Sequence, residues 1–383
     1  MKNYLFLQQQ FVVNTYVNRG LNLVRGEGMY LYDEKGNKYL DLMSNYGVNI
    51  FGHNNPNITK SLIEQFSRLP VLHGSFANDM RAESAFQLVK KCGGGLSQVY
   101  FSNSGAEAVE AALKFAVLAT GKKKFIACKH SYHGKTLGAL SATHGDKYKK
   151  MFSPLLWNFK FIEHGEIEAL EKNISKDVAA FIVEPIQGEG GIFTPPINYL
   201  RKVRKVCDKH GILLILDEIQ TGCGRTGTFL ASQSSEVDYD IVCLGKGLAG
   251  GIPVGATLVS KKIATQIPKQ IHTSTFGGNP LAAAGIIATL EFLNENTLNH
   301  VKKIGSYFID QLRTIQSDQI VEVRGAGLMI GLAVKDRNSL LKELQKNHIL
   351  AIPAGDDVVR FLPPFIVEKK HVDEVIKVLK RVI

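Results

Sequence analysis

Long apolar runs are absent from this 383-residue chain. None approaches the roughly 18 consecutive apolar residues that a membrane-spanning helix needs, so no membrane partner is expected. The opening MKNYLFLQQQFVV is interrupted by Gln8, Gln9 and Gln10 and followed by no small-residue cleavage site, which speaks against a secretion signal and for a cytoplasmic location. Cysteine is sparse: Cys92, Cys128, Cys207, Cys223 and Cys243 are odd in number, scattered and without a C-x-x-C pair. That pattern argues against a disulfide framework and a zinc site, and no metal is expected. Acidic residues are in deficit, 35 against 46 Lys and Arg, for a net charge of +11. The excess is not gathered into a stripe interleaved with aromatics, so nucleic acid is not an expected partner. What it offers is a positive field that draws in anionic small molecules. Repeats, low-complexity segments and a G-x-x-x-x-G-K-S/T phosphate loop are also missing.

What is present is enough apolar residue, 45% of the chain, to bury a sizeable core. The length favours about two domains. Near the start, MYLYD and KYLDL are alternating runs joined by Glu34, Lys35, Gly36 and Asn37, which predicts a β-hairpin. From about residue 99 to 246 the pattern becomes apolar runs separated by helical stretches, the signature of a mostly parallel sheet with helices on its faces. Five runs stand out: VYF before Ser102, KFIAC before Lys129, AFIV before Glu184, ILLIL before Asp217 and IVCL before Gly245. In open α/β sheets ligands bind just beyond the carboxyl ends of the strands. These five runs deliver Ser104, His133, Glu184, Asp217 and Lys246 toward one such edge. Further on, LMIGLAV predicts a strand, and Val372, Val375, Ile376, Leu379 and Val382 recur at helical spacing. The expected α/β organisation is an N-terminal segment over 1–45, a large domain over 46–285 and a smaller α+β domain over 286–383.

Several of these residues carry chemistry. In SNSGAEAVEAALKFAV, Ser104 and Glu107 have capping-box spacing, so a helix should begin near Gly105 with free N–H groups suited to an anion. By itself the pattern also describes an ordinary well-capped helix. Asp217 closes an apolar strand, where a carboxylate is costly unless an opposite charge meets it. A protonated pyridine nitrogen is one such partner; at about 3 Å and an effective dielectric of about 20 the pair interacts by roughly 5 kcal/mol. A structural ion pair is another. Lys246 follows IVCL in LGKGLAGGIPVGA, and a lysine shielded from water loses its proton more readily, leaving an amine that attacks aldehydes. Asp217 and Lys246 together point to an electron-sink cofactor held as a Schiff base. GCGRTG at 222–227 matches the dinucleotide pattern G-x-G-x-x-G, but no helical periodicity follows it, so it is not read as a nucleotide site.

The ordered blocks NSGAEAVEAALK, HGKTLGALSAT, EPIQGEGG, LDEIQTGCGRTG, GKGLAGGIPVGA, STFGGNPLA, RGAGLMIG and RFLPP resemble the class III pyridoxal-phosphate aminotransferases of fold type I. The likeness runs from about Tyr16 to Pro364. It implies pyridoxal 5'-phosphate as cofactor, a homodimer with the active site at the interface, and a role in arginine biosynthesis. The implied reaction moves the terminal amine of N-acetylornithine to 2-oxoglutarate. Ornithine, 4-aminobutyrate, succinylornithine and carrier-linked lysine remain alternative donors. By the same resemblance Lys246 is the Schiff-base lysine, Asp217 the partner of the ring nitrogen, and Gln220 a hydrogen-bonder near the ring hydroxyl. Gly105 and Ala106 would bind the phosphate, and Thr275 the phosphate of the neighbouring subunit. Tyr132 stands where the family usually stacks Phe on the ring. Ser274 and Tyr16 would lie beside the substrate; Arg360 would grip the 2-oxoglutarate carboxylate, and Glu189 would mask that arginine. Lys135 replaces an arginine that clamps the donor carboxylate. Two other readings are a pyridoxal-dependent racemase or mutase, with less need of a switchable Arg360, and a non-catalytic basic binding protein.

Overall fold

The strands Val178–Val183, Leu213–Asp217 and Ile241–Leu244 are buried at every residue. Continuous apolar runs of this kind belong in the middle of a parallel sheet covered on both faces. The computed structural model, which describes residues 2–383, places them there. Seven strands follow the order Leu96–Ser102, Gly255–Ser260, Ile241–Leu244, Leu213–Asp217, Val178–Val183, Lys124–Cys128 and Asn158–Ile162. Gly255–Ser260 runs antiparallel to both neighbours, and the other pairings are parallel. All five expected strands are present. Gly255–Ser260 and the edge strand Asn158–Ile162 are additions.

Side chains alternate across this sheet. Ile182 and Ile215 pack with Ala108, Val109, Leu113 and Phe115 of the helix Gly105–Thr120. Leu214, Leu216 and Val183 face the opposite core, which continues through Phe308, Phe361 and Leu379. The alanine-rich helix seats closely on the strands because its buried positions carry so little side chain. Its start differs in one detail from the expected capping box. Ser104 Oγ accepts from the Glu107 N–H at 3.2 Å, but Glu107 reaches past Ser104 to accept from the Asn103 N–H at 2.9 Å.

A second sheet has the order Ile320–Ala326, Met329–Val334, Val358–Phe361 and Ile352–Ala354. The closing helix Lys369–Val382 buries Val372, Val375, Ile376 and Leu379. The N-terminal hairpin forms between Tyr30–Asp33 and Lys38–Asp41, flanked by Leu23–Glu27. Ile349–Leu350 pairs in parallel with Lys38–Asp41 and so ties that hairpin to the C-terminal part of the chain. Among the described residues no helix is long and apolar enough to cross a membrane.

GCGRTG forms a glycine-supported turn followed by the short 3-10 helix Ala231–Ser235 and no α-helix of the kind a dinucleotide site needs. Arg225, wholly buried there, donates to the carbonyls of Leu328 at 3.1 Å and Pro363 at 2.6 Å. The motif therefore joins the large sheet to the second one.

Candidate active site

The carboxyl ends of the parallel strands open into a cavity of about 480 Å³. Gly105, Ala106, Tyr132, Lys135, Glu189, Asp217, Gln220 and Lys246 line it, with His133 and Glu184. Asp217 is almost fully buried at its floor. One carboxylate oxygen accepts from the Ile219 N–H at 3.0 Å, and the other lies 2.7 Å from His133 Nδ1, which must therefore carry the proton. His133 Nε2 is buried without a partner.

Lys246 opens the short helical turn Lys246–Ala249 with a left-handed φ of 47°. A side chain in that conformation is strained by roughly 1–2 kcal/mol, so the surroundings must impose it. Burial lowers the pKa of its ammonium; Asp217 opposes the shift and Arg360 adds to it. The result is a lysine closer to the neutral, nucleophilic form. On one side of it the helix Gly105–Thr120 presents its first turn. Gly105 is required there because a Cβ would stand 2.9 Å from Ile219 Cγ2. The N–H groups of Gly105 and Ala106 have no intrahelical acceptor and carry the positive end of the helix dipole.

Arg360, on Val358–Phe361, is wholly buried. It donates to Gln220 Oε1 at 3.1 Å, to Glu189 Oε2 at 2.9 Å and to the Pro353 carbonyl at 3.2 Å, and its Nε has no partner. Lys135 is exposed at the cavity, its Nζ 5.8 Å from the Tyr132 ring centre and 5.6 Å from that of Tyr148.

Three residues named from the sequence lie elsewhere. Tyr16 is 82% exposed in the N-terminal arm. Ser274 accepts from Asn103 Nδ2 at 3.2 Å and the Gly277 N–H at 2.9 Å, and Thr275 beside it points to solvent. Other residues had no assigned role. Glu184 accepts from the N–H groups of Tyr132 at 2.9 Å and Gly188 at 3.1 Å, bracing two walls of the cavity. Burial pushes its carboxyl up to about 7; His133 works against the shift and Asp217 with it. Tyr46 lies with its ring centre 5.5 Å from the Arg360 guanidinium carbon, within cation–π range. It sits in a run, Ser44 to Tyr46, of positive φ. That run of non-glycine residues carries no left-handed signature in the sequence, so Tyr46 could not be singled out.

The family model for class-III aminotransferases matches residues 12–383, and the chain belongs to that family. It is 40% identical over 381 residues to the acetylornithine aminotransferase of Aquifex aeolicus, covering 97% of this chain and 100% of that protein. It is 37% identical over 385 residues to the LysW-aminoadipate semialdehyde transaminase of Deinococcus radiodurans, covering 99% and 90%. Among solved structures, the ornithine aminotransferase of Toxoplasma gondii superposes with a TM-score of 0.95 at 32% identity, covering 99% of this chain and 94% of that one. The acetylornithine aminotransferase of Elizabethkingia anophelis gives 0.87 at 32% identity, covering 99% and 98%. The chain is therefore a transaminase of fold type I, and the cofactor of its family is pyridoxal phosphate.

The cavity suits that cofactor. It combines unpartnered N–H groups for a phosphate, a buried carboxylate for a ring nitrogen and a lysine of lowered pKa for an aldehyde. Its volume falls in the range of small-molecule sites.

Proposed function

We propose that this enzyme transfers the terminal amine of N-acetylornithine, or a closely related ω-amine, to 2-oxoglutarate, with a place in arginine biosynthesis and a cytoplasmic location. The observation that carries the reading is the buried Arg360 paired with the partly open Glu189 beside Lys246. An alternating donor and acceptor pair needs a site that meets a dicarboxylate in one half-reaction and a cationic chain in the other. Pairing lets Arg360 bind a carboxylate when Glu189 swings away, and neutralises it when a cationic chain enters.

Pyridoxal phosphate, when bound, supplies the aldehyde that takes up the amine and the ring that withdraws electrons from it. The residues do the rest. Lys246 would hold the cofactor and move the proton, and Asp217, braced by His133, would keep the ring nitrogen protonated. Gln220 would hydrogen-bond near the ring hydroxyl, Tyr132 would stack on the ring, and Gly105 with Ala106 would hold the phosphate. Lys135 and Tyr16 grip the donor, and Ser274 lies beside it.

We place the working unit as a homodimer, in which Thr275 reaches the phosphate of the neighbouring subunit. The exposed Ile63, Phe66, Leu69, Val71, Phe76 and Phe276 support an apolar contact of that kind. Within each chain the cofactor lies in the large domain, about 46–285, and Arg360 comes from the smaller one, about 286–383.

A second donor class, a carrier-linked amine, is favoured by the LysW-linked relative and by Lys135, which lacks the planar fork of an arginine. A spectral half-reaction screen of the holoenzyme separates the two. N-acetylornithine should convert the cofactor fastest among free amines, and glutamate should convert it as well. Failure of glutamate to react would remove the transaminase pairing proposed here.

A further inference from the structure

The block RGAGLMIG carries no residue with a task in the reaction. Its Arg324 lies on Ile320–Ala326, in register with Gly331, and Gly331 is in register with Arg360 on the next strand. Residues directly opposite one another in antiparallel strands share a face. Arg324, Gly331 and Arg360 thus form one row across three strands.

The loop that carries Glu189 lies along this row. At one end Glu189 pairs with Arg360 at 2.9 Å. In the middle Ile192 fills the space left by glycine; a Cβ on Gly331 would approach Ile192 Cβ to 3.1 Å. At the other end Arg324 Nε donates to the Gly191 carbonyl at 2.8 Å, its guanidinium carbon 4.2 Å from the Phe193 ring centre, and Arg324 also pairs with Glu322. The loop closes on itself through reciprocal backbone bonds between Gln187 and Phe193 at 3.0 and 3.2 Å. The Gly355 N–H donates to the Glu189 carbonyl at 2.7 Å. The backbone is therefore fixed at several points, and the Glu189 side chain alone faces the cavity.

We infer that Arg324 is a positioning residue for the Glu189–Arg360 pair, pinning the Gly191 carbonyl to the sheet that carries Arg360 and so setting where the Glu189 carboxylate stands. This rests on the proposed role of Glu189 as the mask of Arg360. Arg324 touches neither substrate nor cofactor; it acts through the loop. Without the bond at Gly191 the loop keeps only its Gln187–Phe193 and Gly355–Glu189 bonds, and the Glu189 carboxylate is held less firmly against Arg360, which weakens the masked state more than the open one.

The test compares kcat/KM of the holoenzyme for glutamate with that for N-acetylornithine. Arg324→Ala should shift the ratio toward glutamate by on the order of threefold to tenfold, the scale of one lost charge-assisted hydrogen bond. The shift should vanish in a Glu189→Ala background, because no mask is left to misplace. Gly331→Ala, which presses on Ile192 from the middle of the row, should move the ratio the same way and serves if Arg324→Ala fails to fold. If Glu189→Ala shifts the ratio and both row variants leave it unchanged, or lower both half-reactions equally, the positioning role is wrong. If Glu189→Ala itself leaves the ratio unchanged, the masking role is wrong and the positioning role falls with it.

Discussion

Arg360 is wholly enclosed while its partner Glu189 keeps nearly a third of its side chain open, with 2.9 Å between them. This asymmetry makes Glu189 the movable member. Arg360 also holds Gln220 and the Pro353 carbonyl, so it stays in place when Glu189 leaves. Glu189→Ala removes the competitor for an incoming carboxylate and leaves a buried cation without its counter-charge when an ω-amine binds. The expected outcome is a rise in kcat/KM for glutamate relative to N-acetylornithine of about tenfold, the scale of one charge-assisted contact. Steady-state kinetics with both donors checks it, and an equal change in the two half-reactions would count against a switch.

The strand ends that build this site were legible because each apolar run stops at a polar residue or a glycine: Val183 before Glu184, Leu216 before Asp217, Leu244 before Gly245. Two strands were not. Asn158–Ile162 alternates exposed and covered residues at a sheet edge, and its run NFKFI is too polar to stand out. Gly255–Ser260 grows out of a glycine-rich stretch that reads as loop, yet its neighbours bury it almost completely. The contacts of Arg360 join parts of the chain up to 171 residues apart. Local patterns carry no record of such distances, and only the resemblance brought Glu189 and Arg360 together. In the sequence Glu184 shows only as the residue that follows a strand; its two backbone N–H partners come from the Tyr132 and Gly188 loops, which local pattern does not bring to it.

Lys246→Ala should yield a folded chain that cannot turn over, and borohydride treatment of the wild-type holoenzyme should attach the cofactor to Lys246 alone. Mixing decides where Thr275 acts. In a dimer of one Lys246→Ala chain and one Thr275→Ala chain, one site has both residues intact if Thr275 serves the neighbour. Random pairing then restores about a quarter of the wild-type number of sites. If Thr275 served its own chain, no site in the mixture would be intact, and activity would not exceed the sum of the separate variants.

The buried carboxyl of Glu184 makes stability depend on pH. Its value rises from the ordinary 4.5 to about 7, chiefly because burial disfavours the charge. Between those values the folded protein holds a proton that the unfolded chain has released. Stability therefore falls as pH rises through this window, by at most about 1.4 kcal/mol per pH unit for one proton. The contribution is complete below about pH 4.5 and gone by about pH 7. Glu184→Gln cannot ionise, although it strands one of the two N–H donors at every pH. Urea unfolding of the cofactor-free proteins should show the wild-type advantage over Glu184→Gln shrinking from pH 5 to pH 8. A difference independent of pH would mean that Glu184 stays ionised throughout.

Lys135 is the substitution in the cavity that bears most on donor choice. Its ammonium stands at the mouth between the rings of Tyr132 and Tyr148, and no carboxylate pairs with it among the described residues. A free cation there is available to a donor carboxylate. It presents one compact charge on a flexible stem, whereas an arginine would offer two parallel hydrogen bonds in a fixed plane. Lys135→Arg should therefore lower the KM for N-acetylornithine by about threefold to tenfold, as a second hydrogen bond to the carboxylate forms. The kcat should change little, because the contact lies away from Lys246 and acts alike before and during the reaction. The reaction of 4-aminobutyrate, tested beside it, should respond less, since its chain is one methylene shorter and holds its carboxylate farther from Lys135 when the amine is at Lys246. An unchanged or raised KM for N-acetylornithine, with another amine already the better donor in the wild type, would show that Lys135 is fitted to a carboxylate placed differently, as in a carrier-linked donor.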